Sequence, residues 1–132
     1  MNFDLTNLNP GTWFDFEEGG ARVCLRVCDG DAMRQIRKKT IKKKAELKKV
    51  DNVMQKVVSE ETNEDLQSDL IWDYCIVDWE GFFNVKTDEP ILCTTENKLL
   101  LMGKSVEFSR FVADALGKLR DTFEGDEAEK NF

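Results

Sequence analysis

The stretch Ile41-Lys42-Lys43-Lys44-Ala45-Glu46-Leu47-Lys48-Lys49-Val50-Asp51-Asn52-Val53-Met54-Gln55-Lys56-Val57-Val58-Ser59 is where the fold class is decided. Lys44, Glu46 and Lys48 alternate with Ala45, Leu47 and Lys49, a two-residue period that suits a strand with one weakly apolar side. Asp51-Asn52 can turn, and residues 53–58 are rich in β-branched side chains. The competing reading is one long basic helix continuing from Ala32. Alternation and β-branched content favour an exposed hairpin. Such an edge needs protection from pairing with other chains, and a row of lysines supplies it. On this reading the chain is α+β.

Upstream, residues 12–17 alternate, with Trp13 and Asp15 on one side and Phe14 and Phe16 on the other. Glu18-Gly19-Gly20 follows as a turn in which positive φ costs little. Residues 21–28 alternate again, Val23, Leu25 and Val27 against Arg22 and Arg26. This predicts an N-terminal β-hairpin. Residues 1–11, rich in Asn and ending Asn9-Pro10-Gly11, read as a flexible lead-in. Asp31 is a suitable N-cap for a helix to Thr40 with Met33, Ile36 and Thr40 on the inner face. The ligand spacing of an EF-hand loop is absent from Asp29-Gly30-Asp31.

Downstream, Thr62 or Asn63 can cap a helix whose first turn holds Glu64 and Asp65. Its run of Leu70, Ile71, Trp72, Tyr74, Cys75, Ile76, Val77 and Trp79 leaves only a narrow polar stripe of Asp65, Asp69 and Asp73. A helix apolar around most of its circumference is a central one, so residues 64–79 are expected as the helix about which the others pack. Residues 82–92 connect, Thr94 caps a short helix with Gly103 as its C′ residue, and Ser105 caps the last. There Phe108, Phe111, Val112, Ala115, Leu116, Leu119 and Phe123 recur at three- and four-residue steps, a core-facing stripe. The expected architecture is two hairpins and about four helices: one α+β domain over residues 12–123, with an acidic, disordered tail at 124–132.

Composition bounds the chemistry. With 132 residues the chain is one domain's worth, able to bury roughly two-thirds of the surface its unfolded form exposes. There is no histidine, which removes the commonest general acid–base group and imidazole metal ligand together. Triad hydrolysis and His-dependent zinc chemistry are excluded, and no catalytic residue, cofactor or metal is expected. Cys24, Cys28, Cys75 and Cys93 lack the paired knuckles of a zinc site and read as buried free thiols. No apolar run spans a bilayer, and the start has no basic or apolar leader region, so a soluble cytoplasmic protein is expected.

Charge is unevenly placed. Residues 34–49 hold nine basic groups against Glu46 alone, a net +8; of the 19 basic and 26 acidic residues, 10 and 25 are left for the rest, a net −15. A basic block invites a nucleic-acid reading, but it holds no aromatic residue to stack a base. Its acidic surroundings repel a polyanion within a Debye length of about 10 Å. The expectation is a solvated surface compensated by acidic neighbours such as Asp65, Asp69 and Asp73.

Three stretches carry a resemblance: Asp78-Trp79-Glu80-Gly81, then Pro90-Ile91-Leu92-Cys93-Thr94-Thr95-Glu96-Asn97-Lys98, then Glu107-Phe108-Ser109-Arg110-Phe111-Val112. With the hairpin ending in Cys28-Asp29-Gly30-Asp31 before a basic helix, their order resembles the tail assembly chaperones of long-tailed bacteriophages and prophages, over residues 13–123. The sequence departs from that pattern at Lys86-Thr87-Asp88-Glu89, which has no glycine before Pro90. The resemblance implies a non-enzymatic protein of the bacterial host cytoplasm that coats the tape-measure protein and helps recruit tail-tube protein. The alternatives are a structural virion component, of the neck or tail-completion kind, and a nucleic-acid-binding regulator. A holdase needs accessible apolar anchors and enough charge to stay soluble. Phe82 and Phe83 are the candidate anchors, with Lys42, Lys43 and Lys44 steering acidic flanks of the client; the alternative for the two phenylalanines is that both tuck under the loop.

Overall fold

The structure, a computed structural model, describes residues 1–18 and 20–130. In chain order the elements are β1 (Thr12–Asp15), β2 (Arg22–Leu25), α1 (Gly30–Thr40), β3 (Ile41–Val50), β4 (Val53–Thr62), α2 (Glu64–Cys75), β5 (Ile76–Glu80), α3 (Thr95–Lys104) and α4 (Val106–Lys130). The fold is α+β, with four helices and two small antiparallel sheets among the described residues, as the patterning predicts. The chain forms two compact units, Met1–Cys28 with Trp72–Phe132, and Asp29–Ile71.

In the first unit the N-terminal hairpin pairs β1 with β2, Phe14 facing Val23. Gly19, in its turn, lies outside the described residues. A third strand joins on the other side: β5 runs antiparallel to β2, so β2 is central. This corrects the expected helix over 64–79, which stops at Cys75. Residues 76–80 extend instead because Ile76 and Trp79 bury themselves against the sheet's apolar side beside Val23 and Leu25. A register shift between Cys24 and Leu25 takes up one extra residue on β5, Val77. That bulge places Ile76 and Trp79, three apart, on one face and disguises the strand as helical spacing.

The core of this unit lies between the sheet and α4, and not around α2, whose only fully buried residue is Cys75. Phe108, Val112, Ala115 and Leu116 form the buried stripe of α4, with Phe111 and Leu119 half-buried at its margins. Each fully buried Val, Leu, Ile or Phe contributes about 1.5–3 kcal/mol relative to an exposed one. Phe123 falls where only the helix backbone is described. The segment expected as a disordered tail continues α4 as far as Lys130, and residues 131 and 132 lie outside the described residues.

Caps follow local chemistry. Thr94 Oγ1 accepts from Asn97 N–H (3.2 Å) and Ser105 Oγ from Phe108 N–H (3.2 Å), as expected. Gly103 is not the C′ residue of α3: the helix continues to Lys104, and Ser105 closes it through its N–H to Leu101 O (2.9 Å). The end of the lead-in is tied down, since Asn9 Nδ2 donates to Val27 O (2.9 Å) and to the Tyr74 hydroxyl (3.3 Å). Gly11 has φ +101°, and a Cβ there would sit 2.7 Å from Cys24 Sγ.

In the second unit α1 is capped by Asp29, which accepts from Ala32 N–H at 2.8 Å, two residues before the expected Asp31. Asp31 lies in the first turn beside Arg34. The helix passes directly into β3 at Thr40, a buried residue whose hydroxyl donates to Ile36 O (2.9 Å) and accepts from Gln67 Nε2 (3.2 Å). The expected hairpin forms: β3 and β4 pair over ten residues each, from Ile41 opposite Thr62 to Val50 opposite Val53. Asp51 (φ 51°) and Asn52 (φ 64°) both enter the left-handed region, the turn that matches the twist of a two-residue hairpin. Asn63 caps α2, its Oδ1 accepting from Leu66 N–H (3.2 Å).

Candidate functional site

Phe82 and Phe83 are adjacent in sequence and opposite in fate. Phe82 is half-buried inside an aromatic cluster, its ring 5.3 Å from Phe16, 5.6 Å from Trp79 and 5.9 Å from Phe108, all edge-on. Such pairs add about 0.5–1.5 kcal/mol each beyond burial. Phe83 points the other way and is 59% exposed. Of the two candidate anchors, Phe82 is a packing residue and Phe83 an accessible one.

Phe83 stands on a hydrogen-bonded turn. Phe82 O accepts from Ile91 N–H (2.8 Å), Asn84 N–H donates to Glu89 O (2.8 Å), and Phe83 bridges to Pro90. Asn84 folds the tip: its Oδ1 accepts from Lys86 N–H (2.9 Å) and its carbonyl from Asp88 N–H (2.8 Å). Asp88, at φ 56°, takes the left-handed conformation for which a glycine is expected before Pro90. Asp tolerates that region better than most residues, so the turn closes without glycine. The base is pinned by Trp79 Nε1, which donates to Ile91 O at 2.7 Å. Gly81 enters the turn at φ +84°, where a Cβ would meet Ala21 Cα at 2.8 Å. The loop also displays Val85, 93% exposed, which the sequence reading missed. Its signal was an apolar residue inside the polar run Asn84-Val85-Lys86-Thr87.

Lys42, Lys43 and Lys44 lie on β3 in the second unit. All three lysines are exposed, but the register sets Lys42 opposite Glu61, Lys43 opposite Glu60 and Lys44 opposite Ser59, with Lys44 Nζ 4.0 Å from Glu61 Oε2. Lys42 also lines an open cleft of about 520 Å³ with Glu61, Glu64 and Asp65. Compensation comes chiefly from β4, across the hairpin, and not from the expected aspartate stripe. Asp65 shares the cleft, but Asp73 is engaged in the first unit: its Oδ1 accepts from Thr95 Oγ1 (2.8 Å) and Lys98 Nζ (3.2 Å). Lys98, buried to 9% exposure, donates also to Asp73 O (3.1 Å), so this ion pair welds α2 to α3.

The four cysteines are free. Burial pushes the Cys75 thiol up to about 11, with Cys28 nearby adding to the rise, and burial likewise raises Cys93 to about 11. Burial, then Asp78, raises Cys24. A raised thiol pKa keeps Cys24, Cys75 and Cys93 protonated at neutral pH. Among the described residues no helix is long and apolar enough to cross a membrane. Compared with family models, curated proteins and solved structures, the chain matches none.

Proposed function

We propose that the chain is a non-enzymatic tail assembly chaperone of a long-tailed phage or prophage. It binds an apolar segment of the tape-measure protein in the host cytoplasm and assists assembly of tail-tube protein. The observation that carries the reading is the turn over residues 82–91, which holds Phe83 and Val85 out to solvent on a hydrogen-bonded frame. Two large apolar side chains displayed this way gain about 25 cal/mol for each Å² they cover on a client. A preformed turn loses little conformational entropy on binding. The order of the stretches at residues 78–81, 90–98 and 107–112, which resembles that of the tail assembly chaperones, supports the same role. A nucleic-acid site on Lys42, Lys43 and Lys44 is disfavoured, because a polyanion approaching them meets Glu60 and Glu61 on the paired strand. The expected result is no binding of duplex or single-stranded DNA tighter than ~10 μM at physiological salt.

The test is co-purification of tape-measure fragments with the full chain and with Phe83→Ser and Val85→Ser variants. Loss of the client with the fold intact supports the reading; unchanged capture of the client by both variants removes the loop from it. Detection of the chain by mass spectrometry in purified mature virions favours instead a structural neck or tail-completion component.

A further inference from the structure

The β3–β4 hairpin is a two-stranded sheet, and among the described residues neither outer edge pairs with another strand. A hairpin alone is marginal in water and gains from additional strands. Its two edges differ in what they offer. The Thr40 carbonyl accepts from Asn63 N–H (2.8 Å), so in β4 the odd-numbered residues face β3. In an antiparallel pair the N–H and C=O groups alternate in direction, so Met54, Lys56, Val58, Glu60 and Thr62 aim theirs outward at the free edge. β3 carries Lys42, Lys43, Lys44, Lys48 and Lys49 against Glu46, a net +4, and repels its own copy. β4 carries Lys56 against Glu60 and Glu61, a net −1. The lysine guard covers one edge and leaves the other open.

We propose that β4 is a self-association edge: two copies pair antiparallel about a two-fold axis at Val58, giving a four-stranded sheet ordered β3-β4-β4-β3. In this register the outward amides of Lys56 face those of Glu60 in the second copy, and Met54 faces Thr62. Two Lys–Glu cross-strand pairs form, one on each side of the axis. Sliding the centre to Lys56 or to Glu60 sets that charge against its own copy. Centring on Val57 or Ser59 leaves both charges opposite uncharged residues. The same face of the hairpin carries Val58 (59% exposed) opposite Ala45, and the two-fold sets Val58 against its own copy, so one apolar row, Ala45-Val58-Val58-Ala45, crosses all four strands. The closed symmetry uses up both β4 edges and leaves lysine-bearing edges outermost, which stops further growth. A single strand pair is at the low end of interface sizes, so the dimer is a micromolar one. It is independent of the client surface on residues 82–91.

Sedimentation of the full chain from low to hundreds of micromolar tests this, with circular dichroism to check each variant's fold. A monomer–dimer equilibrium is expected. Val58→Pro removes an outward donor without removing a β3–β4 hydrogen bond, and it should abolish the dimer. Lys56→Glu, whose partner within the hairpin is Leu47, should weaken it about tenfold, equivalent to ~1.4 kcal/mol. Mixing Lys56→Glu with Glu60→Lys should restore a heterodimer, since each repulsive pair becomes attractive. Lys49→Glu, on the other edge, should leave the dimer unchanged. A monomer at all concentrations, a dimer indifferent to Val58→Pro and Lys56→Glu, or growth beyond a dimer that responds to Lys49→Glu overturns the proposal.

Discussion

Replacing Phe82 and Phe83 one at a time separates packing from display within two adjacent residues. Truncating a fully buried Phe to Ala costs about 3–5 kcal/mol. Phe82 is half-buried, which brings the transfer part to roughly half of that. The edge-on contacts to Phe16, Trp79 and Phe108 return part of the difference, so Phe82→Ala should cost about 2–3 kcal/mol. For a chain of this size that is a fall in Tm of roughly 6–12 °C. Phe83→Ala, at 59% exposure with no ring partner among the described contacts, should stay within about 0.5 kcal/mol of the parent. Urea unfolding followed by tryptophan fluorescence reads both, because Trp79 lies inside the cluster. The client pull-down should reverse the order, with Phe83→Ala losing capture and Phe82→Ala keeping it below its own unfolding transition. Equal destabilisation by the two variants, or a larger cost at Phe83, refutes the assignment of core and surface.

Removing Asp73 with Ala strands the buried Lys98 ammonium on a single carbonyl and should cost about 2–4 kcal/mol by urea unfolding. Lys98→Met should cost less, since Asp73 keeps Thr95; the opposite ranking refutes the account of this ion pair. Gly81→Ala brings a Cβ within 2.8 Å of Ala21 Cα at positive φ and should destabilise by more than ~1 kcal/mol, measured as a drop in Tm, whereas Gly103→Ala, with open space around it, should not. The Cys75 thiol is held at about 11 in the fold against an ordinary 9.0, so the unfolded chain sheds its proton first as pH rises. The contribution of this thiol to stability should be flat below pH 9 and fall between pH 9 and 11, by at most about 1.4 kcal/mol per pH unit. The urea midpoint of Cys75→Ala should fall less steeply over that window; an unchanged slope refutes the thiol's part.

Features governed by a residue and its near neighbours were legible in the sequence. Alternation over residues 12–17, 21–28 and 41–59 marked the hairpins, hydroxyl and amide side chains marked the caps at Asn63, Thr94 and Ser105, and the three–four spacing of Phe108, Val112, Ala115 and Leu116 marked the core face of α4. Features governed by a partner far along the chain were decided by tertiary structure. Ile76 and Trp79 are compatible with helical spacing, and only pairing with β2, some fifty residues earlier, extends them and absorbs Val77 as a bulge. Phe82 and Phe83 are chemically identical; which one turns inward is set by the hydrogen bond from Ile91 N–H and the cluster waiting beneath it. The sequence suggests Asp65, Asp69 and Asp73 as the partners of the β3 lysines, and only the register places Glu60 and Glu61 opposite Lys43 and Lys42. Local propensity acts over a turn or two of chain, whereas burial and charge compensation act through space, and these last choices belong to the second kind.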